Sequence, residues 1–292
     1  MVNIRDRKVW LITGSSSGFG RCLIDSVLAR GDRVIAAARS LESLKSLQGK
    51  NDNIRLLQLD VTDGPKIIKA KMAEAVTFFG GLDVIVNNAG TNFLGIIEEG
   101  GSAFLRRQFD VCFFGVMDVT TAALPYLRAQ KSGTVIIIGS RSAWRPEFPV
   151  RIGSYASSKA AVHALAEAFS GELAHLNIRV LLVEPSAFRT GMFNSSGRMD
   201  GLMREDVIAD YDQPRNAISN FWKTIPPPPG DPVKAMEAVV EVVKGEGVAA
   251  GRPWPTYLVL GKDAEKAILA KTEKLKMHLE EWSDVVRGVD FY

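Results

Sequence analysis

Cysteine and histidine are scarce in this chain. Its 292 residues include two cysteines, Cys22 and Cys112, and three histidines, His163, His175 and His278. Two thiols about 90 positions apart indicate neither a disulfide framework nor a thiolate metal site. The histidines lack the spacing of metal ligands, so we expect no metal ion.

A charge excess of one sign and long hydrophobic runs are also missing. The 36 basic and 33 acidic residues leave a net charge of +3, and the basic residues are spread along the chain. Such a balance favours neither nucleic acid nor an anionic membrane as a partner. The apolar runs at 9–13 and 135–138 are too short for a signal-peptide core or a membrane span. We therefore expect a soluble cytoplasmic protein with no nucleic-acid or membrane partner.

The overall composition is that of a globular protein. Hydrophobic residues make up 46%, charged residues 24% and aromatic residues 8%, which excludes disordered, collagen-like and disulfide-scaffold classes. The length would allow two domains, but α/β folds of this size often form one unit. We expect a single domain over residues 1–292.

Short apolar runs alternate with longer segments of helical character. The runs are rich in Val and Ile at consecutive positions, which is typical of strands that are buried on both faces. They lie at 9–12, 34–38, 54–59, 84–86, 135–138 and 179–183. This alternation predicts right-handed βαβ units, and therefore an α/β fold with a doubly wound parallel sheet.

The pattern breaks after residue 190 into Gly, Asn, Ser and Pro with scattered aromatic residues. Phe193, Tyr211, Phe221 and Trp222 lie in this stretch, which ends in the prolines 226–229. We interpret residues 193–230 as an inserted lid, and the alternative is a disordered surface loop. Residues 231–292 then form an extension with helices at 233–244 and 263–282 and a strand at 257–260.

A glycine-rich loop at 13–20 follows the first run and precedes a helical segment at 21–29. Glycines there permit a tight turn and let the backbone approach a pyrophosphate at a helix N-terminus. The same residues satisfy the G-x-S-x-G pattern, which would make Ser16 a hydrolase nucleophile. That alternative is disfavoured, because only 13 residues precede Gly14 and no earlier strand can supply an oxyanion hole.

Arg39 stands at the end of the second run, where dinucleotide folds that bind NAD carry an acid. A guanidinium is suited to a 2′-phosphate, so the sequence favours NADP(H) over NAD(H). The alternative for Arg39 is a solvated residue that opens the next helix.

Several further motifs occur in order along the chain. Asp60-Val61 follows the third run, Asn-Asn-Ala-Gly occupies 87–90, Tyr-x-x-x-Lys occupies 155–159, and Pro185 is followed by Thr190. With the glycine loop, these motifs make residues 8–192 resemble the short-chain dehydrogenase/reductase family. The resemblance implies a Rossmann fold, a cofactor-binding and catalytic core at 8–192, and a substrate lid at 193–230. It also implies a homodimer or homotetramer.

Tyr155 and Lys159 lie four residues apart, which places them on one face of a helix. A phenol titrates at about 10, but a nearby ammonium lowers its pKa. Tyr155 could then donate a proton to a carbonyl or take one from an alcohol. The family also uses a serine to hold the substrate oxygen. Strand register points to Ser140 for this role and the usual family spacing to Ser142; we prefer Ser140, because the end of a strand holds a hydroxyl more rigidly than a loop does.

Cys112 stands where the family carries an asparagine that helps to hold a water molecule beside the active lysine. A thiol cannot reproduce the hydrogen bonds of an amide. Either the water remains on a backbone carbonyl and turnover is reduced, which we favour, or proton delivery fails. Cys112 as a nucleophile would need a cationic neighbour such as Lys159.

The cofactor contacts come from the loop chemistry and from the resemblance. They are Gly14, Ser16, Ser17, Gly18, Phe19, Gly20, Arg39, Asp60, Val61, Asn88, Ala89, Gly90, Tyr155, Lys159, Pro185, Phe188 and Thr190. Asp60 has the alternative role of capping the next helix, and Asn88 is expected to order the loop or to contact ribose. Ser186 replaces the usual glycine after Pro185.

We expect an oxidoreductase that transfers hydride between NADP(H) and a carbonyl or secondary alcohol of an apolar, medium-sized substrate. The aromatic residues of the lid and its lack of a fixed-charge cluster suggest the apolar substrate. The alternative is an NADP(H)-binding sensor or interaction protein with weak turnover, suggested by Cys112 and Ser186.

Overall fold

The computed structural model describes residues 7–49, 51–148, 151–191 and 207–291, without the side chains of 218, 219 and 221–223. Seven strands form one sheet. They are β1 Val9–Thr13, β2 Arg33–Ala38, β3 Ile54–Gln58, β4 Val84–Asn87, β5 Gly133–Ile138, β6 Ile178–Pro185 and β7 Tyr257–Leu260. Each predicted strand is present, with ends that differ by at most two residues.

The sheet is parallel throughout, and its order is β3-β2-β1-β4-β5-β6-β7. The chain runs outward from β1 to β3 and then crosses back to β4, which pairs with β1 on the other side. The strand order therefore reverses between β1 and β4, and ligands of such sheets bind beyond the carboxyl ends of the strands at this point. The predicted doubly wound parallel sheet is confirmed.

Helices cover both faces of the sheet. They are α1 Gly18–Ala29, α2 Pro65–Phe79, α3 Ile97–Phe109, α4 Gly115–Ala129, α5 Gly153–Leu173, α6 Asp212–Thr224, α7 Pro232–Lys244, α8 Lys262–Glu281 and α9 Ser283–Gly288. Strand side chains alternate between two apolar clusters, with Leu11 and Ile35 in one and Trp10 and Val34 in the other. Both faces of the sheet are thus buried, which explains the continuous apolar runs.

The helical stretch Ile97–Ala129 joins α3 and α4 through a π-helical turn, Asp110–Phe114. By length and mean hydropathy, 1.2 over its most apolar part, it could cross a membrane, although no such stretch was expected from the sequence. Half of that part is buried inside the protein, and core helices of soluble proteins meet the same criterion.

The segment predicted as a lid is partly helical. Phe193 and the rest of 192–206 lie outside the described residues, whereas residues 207–230 contain a 3-10 turn, Ala209–Tyr211, and α6. Ion pairing of Arg215 with Glu99 and a hydrogen bond from Tyr211 to Glu98 attach this part to α3. The predicted extension contains α7, β7 and α8 as expected. The role of the segment as a lid stays a prediction.

Candidate active site

The glycine loop lies at the carboxyl end of β1, where the strand order reverses. Gly14 has a φ of +65°, and a Cβ there would stand 2.8 Å from the Cα of Ala89. A Cβ on Gly20 would stand 2.4 Å from the carbonyl oxygen of Gly14. A side chain at either position would therefore collide with backbone, so the close approach of loop, helix and β4 requires glycine.

Asn88, directly after β4, holds this loop in place. Its Nδ2 donates hydrogen bonds to the carbonyl oxygens of Thr13 at 2.8 Å and Gly14 at 3.1 Å. The hydroxyl of Thr13 in turn accepts from the backbone N–H groups of Asn88 and Ala89, each at 3.0 Å. Of the two roles expected for Asn88, the geometry shows the ordering of the loop.

The N-terminus of α1 faces the same edge of the sheet. Ser16 and Ser17 are exposed, and Ser17 makes no side-chain hydrogen bond that caps the helix. Phe188, beyond the end of β6, contacts Phe19 with ring centroids 5.2 Å apart. The loop after β6 also brings Thr190 beside Gly18, where an added Cβ would lie 3.4 Å from the Thr190 Cβ. Predicted cofactor contacts from the start of the core, in the glycine loop, and from its end, after β6, therefore lie together at the N-terminus of α1.

Three of the predicted cofactor contacts, Arg39, Asp60 and Val61, lie beyond β2 and β3. Arg39 is exposed directly after β2. This strand pairs with β1, the strand that leads into the glycine loop. The Asp60 carboxylate accepts hydrogen bonds from the backbone N–H and hydroxyl of Thr62, at 3.0 Å and 2.8 Å. Asp60 thus orders the turn that leads to α2. Val61 is buried and packs closely on Gly115. A Cβ added to Gly115 would lie 2.8 Å from the Cβ of Val61.

Tyr155 and Lys159 lie one turn apart on α5, and both are buried. The Nζ of Lys159 donates to the carbonyl oxygen of Ile138 at 2.6 Å and lies 5.8 Å from the centroid of the Tyr155 ring. The Ser140 hydroxyl hydrogen-bonds to Tyr155 and accepts the backbone N–H of Ser142 at 3.1 Å. Of the two candidate serines, Ser140 is therefore the one whose hydroxyl contacts Tyr155.

Burial governs the electrostatics of this pair. It raises the pKa of Tyr155, Cys112 acts in the same direction, and the hydrogen bond from Ser140 opposes both. Burial likewise lowers the pKa of Lys159. The expected lowering of the Tyr155 pKa by the ammonium is thus not seen in the chain alone. Tyr155 is a neutral phenol at physiological pH, which is the form that donates a proton.

Cys112 is fully buried in the π-helical turn. Its Sγ accepts from the Nε2 of Gln108 at 3.1 Å and donates to the carbonyl oxygen of Thr91 at 3.4 Å. A Cβ on Gly90 would lie 3.8 Å from this sulfur, so Cys112 lies beside the Asn-Asn-Ala-Gly motif. The Thr91 carbonyl also accepts from the Nε2 of Gln108 at 2.8 Å, so both of its lone pairs are engaged within the protein.

A buried acid and histidine next to this site were missed from the sequence, where histidine was considered only as a metal ligand. His163 follows Lys159 by four residues on α5, and its Nδ1 lies 3.2 Å from the Oε1 of Glu184. Glu184 is fully buried at the end of β6 and accepts a hydrogen bond from the Trp144 indole. The interval Tyr155, Lys159, His163 repeats every four residues, and this periodicity could have placed the histidine on the catalytic face.

The pKa shifts of His163 and Glu184 place one proton on this pair between about pH 4 and pH 7, and it resides on Glu184. Burial raises the pKa of Glu184 to about 7, and burial together with Lys159 lowers the pKa of His163 to about 4. In the unfolded chain the ordinary values, 4.5 and 6.5, also leave one proton on the two groups between those pH values. The pair therefore makes unfolding almost independent of pH in that range.

Among the described residues, no group of three or more His, Cys, Asp or Glu side chains could hold a metal ion. The glycine loop and the Ser140, Tyr155 and Lys159 cluster instead lie at the same edge of the sheet. This arrangement places an exposed helix N-terminus and a buried phenol at one edge of the sheet.

Comparison with known proteins gives the same picture. The model of the short chain dehydrogenase family matches residues 8–201. YusZ, an uncharacterized oxidoreductase of Bacillus subtilis (strain 168), is 32% identical over 247 residues, or 81% of this chain and 85% of the relative. A solved short-chain dehydrogenase from Streptomyces avermitilis is 33% identical with a TM-score of 0.83, covering 98% of this chain and 100% of that one.

Two more distant structures share the fold and contain a nicotinamide cofactor. A short chain dehydrogenase from Burkholderia cenocepacia in complex with NADP is 21% identical with a TM-score of 0.69, covering 94% of this chain and 97% of that one. A short chain dehydrogenase/reductase from Burkholderia phymatum in complex with NAD is 21% identical with a TM-score of 0.76, covering 95% of both. The chain belongs to the short-chain dehydrogenase family and is an oxidoreductase.

Proposed function

We propose that this oxidoreductase transfers hydride between NADP(H) and a carbonyl or secondary alcohol of an apolar, medium-sized substrate. The observation that carries the proposal is the buried cluster of Ser140, Tyr155 and Lys159 beside the glycine loop. A neutral phenol, a hydroxyl and an ammonium at the carboxyl edge of a parallel sheet are suited to protonating a carbonyl oxygen.

The residues at this edge are suited to a dinucleotide. The space that a Cβ on Gly14 or Gly20 would fill is already occupied by backbone, because the loop packs closely against the end of β4. Ser16 and Ser17, at the N-terminus of α1, are exposed, so this helix end is accessible to an anion. The pyrophosphate would be held there by backbone N–H groups of Ser16 to Gly18. A nicotinamide cofactor, when bound, supplies or accepts the hydride.

The chain's own groups handle the substrate oxygen and its proton. In the direction of reduction, the Oη of Tyr155 donates a proton to the carbonyl oxygen, while the Ser140 hydroxyl orients that oxygen. The positive charge of Lys159, fixed by the carbonyl of Ile138, stabilises the negative charge that develops on Tyr155. In oxidation, Tyr155 takes the proton back from the alcohol.

Arg39 supports a preference for NADP(H). It is exposed at the end of β2, the position from which a side chain reaches the ribose in dinucleotide folds. A guanidinium there pairs with a 2′-phosphate, whereas an acid would accept the 2′-hydroxyl of NAD.

The apolar substrate class rests on the aromatic composition of the predicted lid, 193–230. The alternative of a cofactor-binding sensor rests on Cys112 and Ser186 and is not favoured, because the similar proteins are named as oxidoreductases. The cytoplasmic location and the assembly into dimers or tetramers stay predictions.

The proposed function is tested by following NADPH depletion with a panel of ketones and aldehydes of graded polarity. We expect turnover with apolar, medium-sized carbonyls and a lower rate with NADH. Turnover only with small charged or sugar-like carbonyls would contradict the substrate class. Tight cofactor binding with no carbonyl reduced, together with activity gained by Cys112→Asn, would favour the sensor.

A further inference from the structure

The C-terminal helices extend away from the body of the protein. The first two turns of α8 pack on the domain and bury Ala264 and Ala267. Beyond them, every residue of 272–282 and of 284–291 is exposed. We call residues 271–291 the C-terminal arm. An arm of this length gains little stability from the body, so its conformation depends on its own hydrogen bonds or on a partner.

The C-terminal arm carries regularly spaced apolar residues on α8 and α9. These residues, which we call the apolar stripe, recur at alternating intervals of four and three residues, and each is roughly half or more exposed: Leu275 49%, Leu279 59%, Trp282 57%, Val286 47% and Val289 77%. α8 ends at Trp282, whose φ of −106° and ψ of 24° are not helical, and α9 begins with the bond from the backbone N–H of Val286 to the Trp282 carbonyl at 2.9 Å. Alternating intervals of four and three are the spacing by which one helix buries a seam against another.

Charges along the C-terminal arm are segregated. The turns around Leu275 carry three lysines, Lys271, Lys274 and Lys276, against one glutamate. The turns around Trp282 carry three acids, Glu280, Glu281 and Asp284, with no Lys or Arg before Arg287. The two halves of one stripe therefore have opposite sign.

We propose that the C-terminal arm is an interface between two copies of this chain, which pair antiparallel about a two-fold axis. In that arrangement the lysine-rich turns of one copy face the acid-rich turns of the other, and the two apolar stripes bury each other. A parallel arrangement would place like charges together. A single self-complementary patch is what a two-fold interface requires.

The charges also argue against a membrane as the occupant. Trp282 would anchor an interfacial helix, but Glu280, Glu281 and Asp284 surround it in sequence. Acids beside the anchor are repelled by anionic headgroups, which attract lysine-rich helices.

The apolar seam is tested by sedimentation velocity on the full chain over a dilution series. Leu279→Glu places a charge on the stripe, whereas Met277→Glu, at 60% exposure on another face of α8, places the same charge off it. We expect the assembly of Leu279→Glu to have half the mass of the wild-type assembly, while Met277→Glu keeps the wild-type mass. Circular dichroism checks that both variants are folded. A monomeric wild type, or equal masses for the wild type and Leu279→Glu, would overturn the proposal.

The charge complementarity of the two arms is tested by two charge-reversal variants. One changes the three lysines to glutamate (K271E, K274E, K276E), and the other changes the three acids to lysine (E280K, E281K, D284K). Each variant alone should lose association through the arm, and an equimolar mixture should regain the wild-type mass. A mixture that stays dissociated would refute the pairing. Binding of the wild type to anionic vesicles without self-association would assign the stripe to a membrane instead.

Discussion

Replacing Asn88 by alanine should loosen the glycine loop on which the cofactor site depends. The amide donates two hydrogen bonds, to the carbonyl oxygens of Thr13 and Gly14 at 2.8 and 3.1 Å. A hydrogen bond contributes about 1 kcal/mol net, and a buried polar group left unpaired costs about 1–3 kcal/mol. We therefore expect Asn88→Ala to lower the free energy of unfolding by about 2–4 kcal/mol in urea denaturation. NADPH binding, measured by calorimetry, should weaken as well.

Two variants separate the hydrogen bonds from other effects of the change. Asn88→Asp keeps the shape but replaces Nδ2 by a carboxylate oxygen, which cannot donate to the two carbonyl oxygens and is repelled by them, so it should destabilise the protein at least as much as alanine does. Asn216→Ala removes an exposed amide on α6 and should change the unfolding free energy by less than about 0.5 kcal/mol. The reasoning is refuted if Asn88→Ala is as stable as Asn216→Ala, or if Asn88→Asp restores wild-type stability.

Three other substitutions give distinct outcomes. Arg39→Asp should lower the NADPH-to-NADH preference by roughly 10-fold to 100-fold, because a hydrogen bond to a charged group contributes about 1.5–3 kcal/mol; an unchanged ratio of kcat/KM values would show that the 2′-phosphate is bound elsewhere. Cys112→Asn should raise kcat several-fold by restoring an amide beside Lys159, and a lower kcat would mean that the Gln108 and Thr91 contacts of the thiol support turnover. Glu184→Gln removes the acid of the pair and keeps His163, whose pKa in the folded protein lies below its ordinary value. As the pH falls, His163 is therefore protonated in the unfolded state before it is protonated in the folded state. Relative to the wild type, the unfolding free energy of this variant should fall as the pH is lowered from 6.5 to about 4; parallel pH profiles would contradict the opposite pKa shifts of Glu184 and His163.

The strands were predictable because burial on both faces leaves continuous β-branched runs. β7 was predicted with its observed ends, and β2 was missed only at Arg33, whose charge hides the first position of the strand. Helix starts were less accurate: α1 begins at Gly18 and not at Arg21, since the glycines that mark the turn also form the first turn of the helix. α6 was not foreseen, because its polar sequence resembles that of a loop.

Side-chain roles were harder to predict than elements. Strand register favoured Ser140 while family spacing favoured Ser142, and only the contact of Ser140 with Tyr155 in three dimensions distinguishes the two. The direction of the Tyr155 pKa could not be foreseen, because it is set by burial, which a sequence motif does not report. Glu184 lies in a strand that looks apolar from its neighbours, and its partner His163 comes from another element.

The central claim is that Tyr155 donates the proton during carbonyl reduction. It is tested most directly by steady-state NADPH oxidation with the best carbonyl of the panel, comparing the wild type with Tyr155→Phe and with Tyr126→Phe, a tyrosine packed against the core on α4. The account predicts a kcat about 10²- to 10⁴-fold lower for Tyr155→Phe, as expected when a general acid is removed, and wild-type turnover for Tyr126→Phe. Equal kcat values for the wild type and Tyr155→Phe would contradict it.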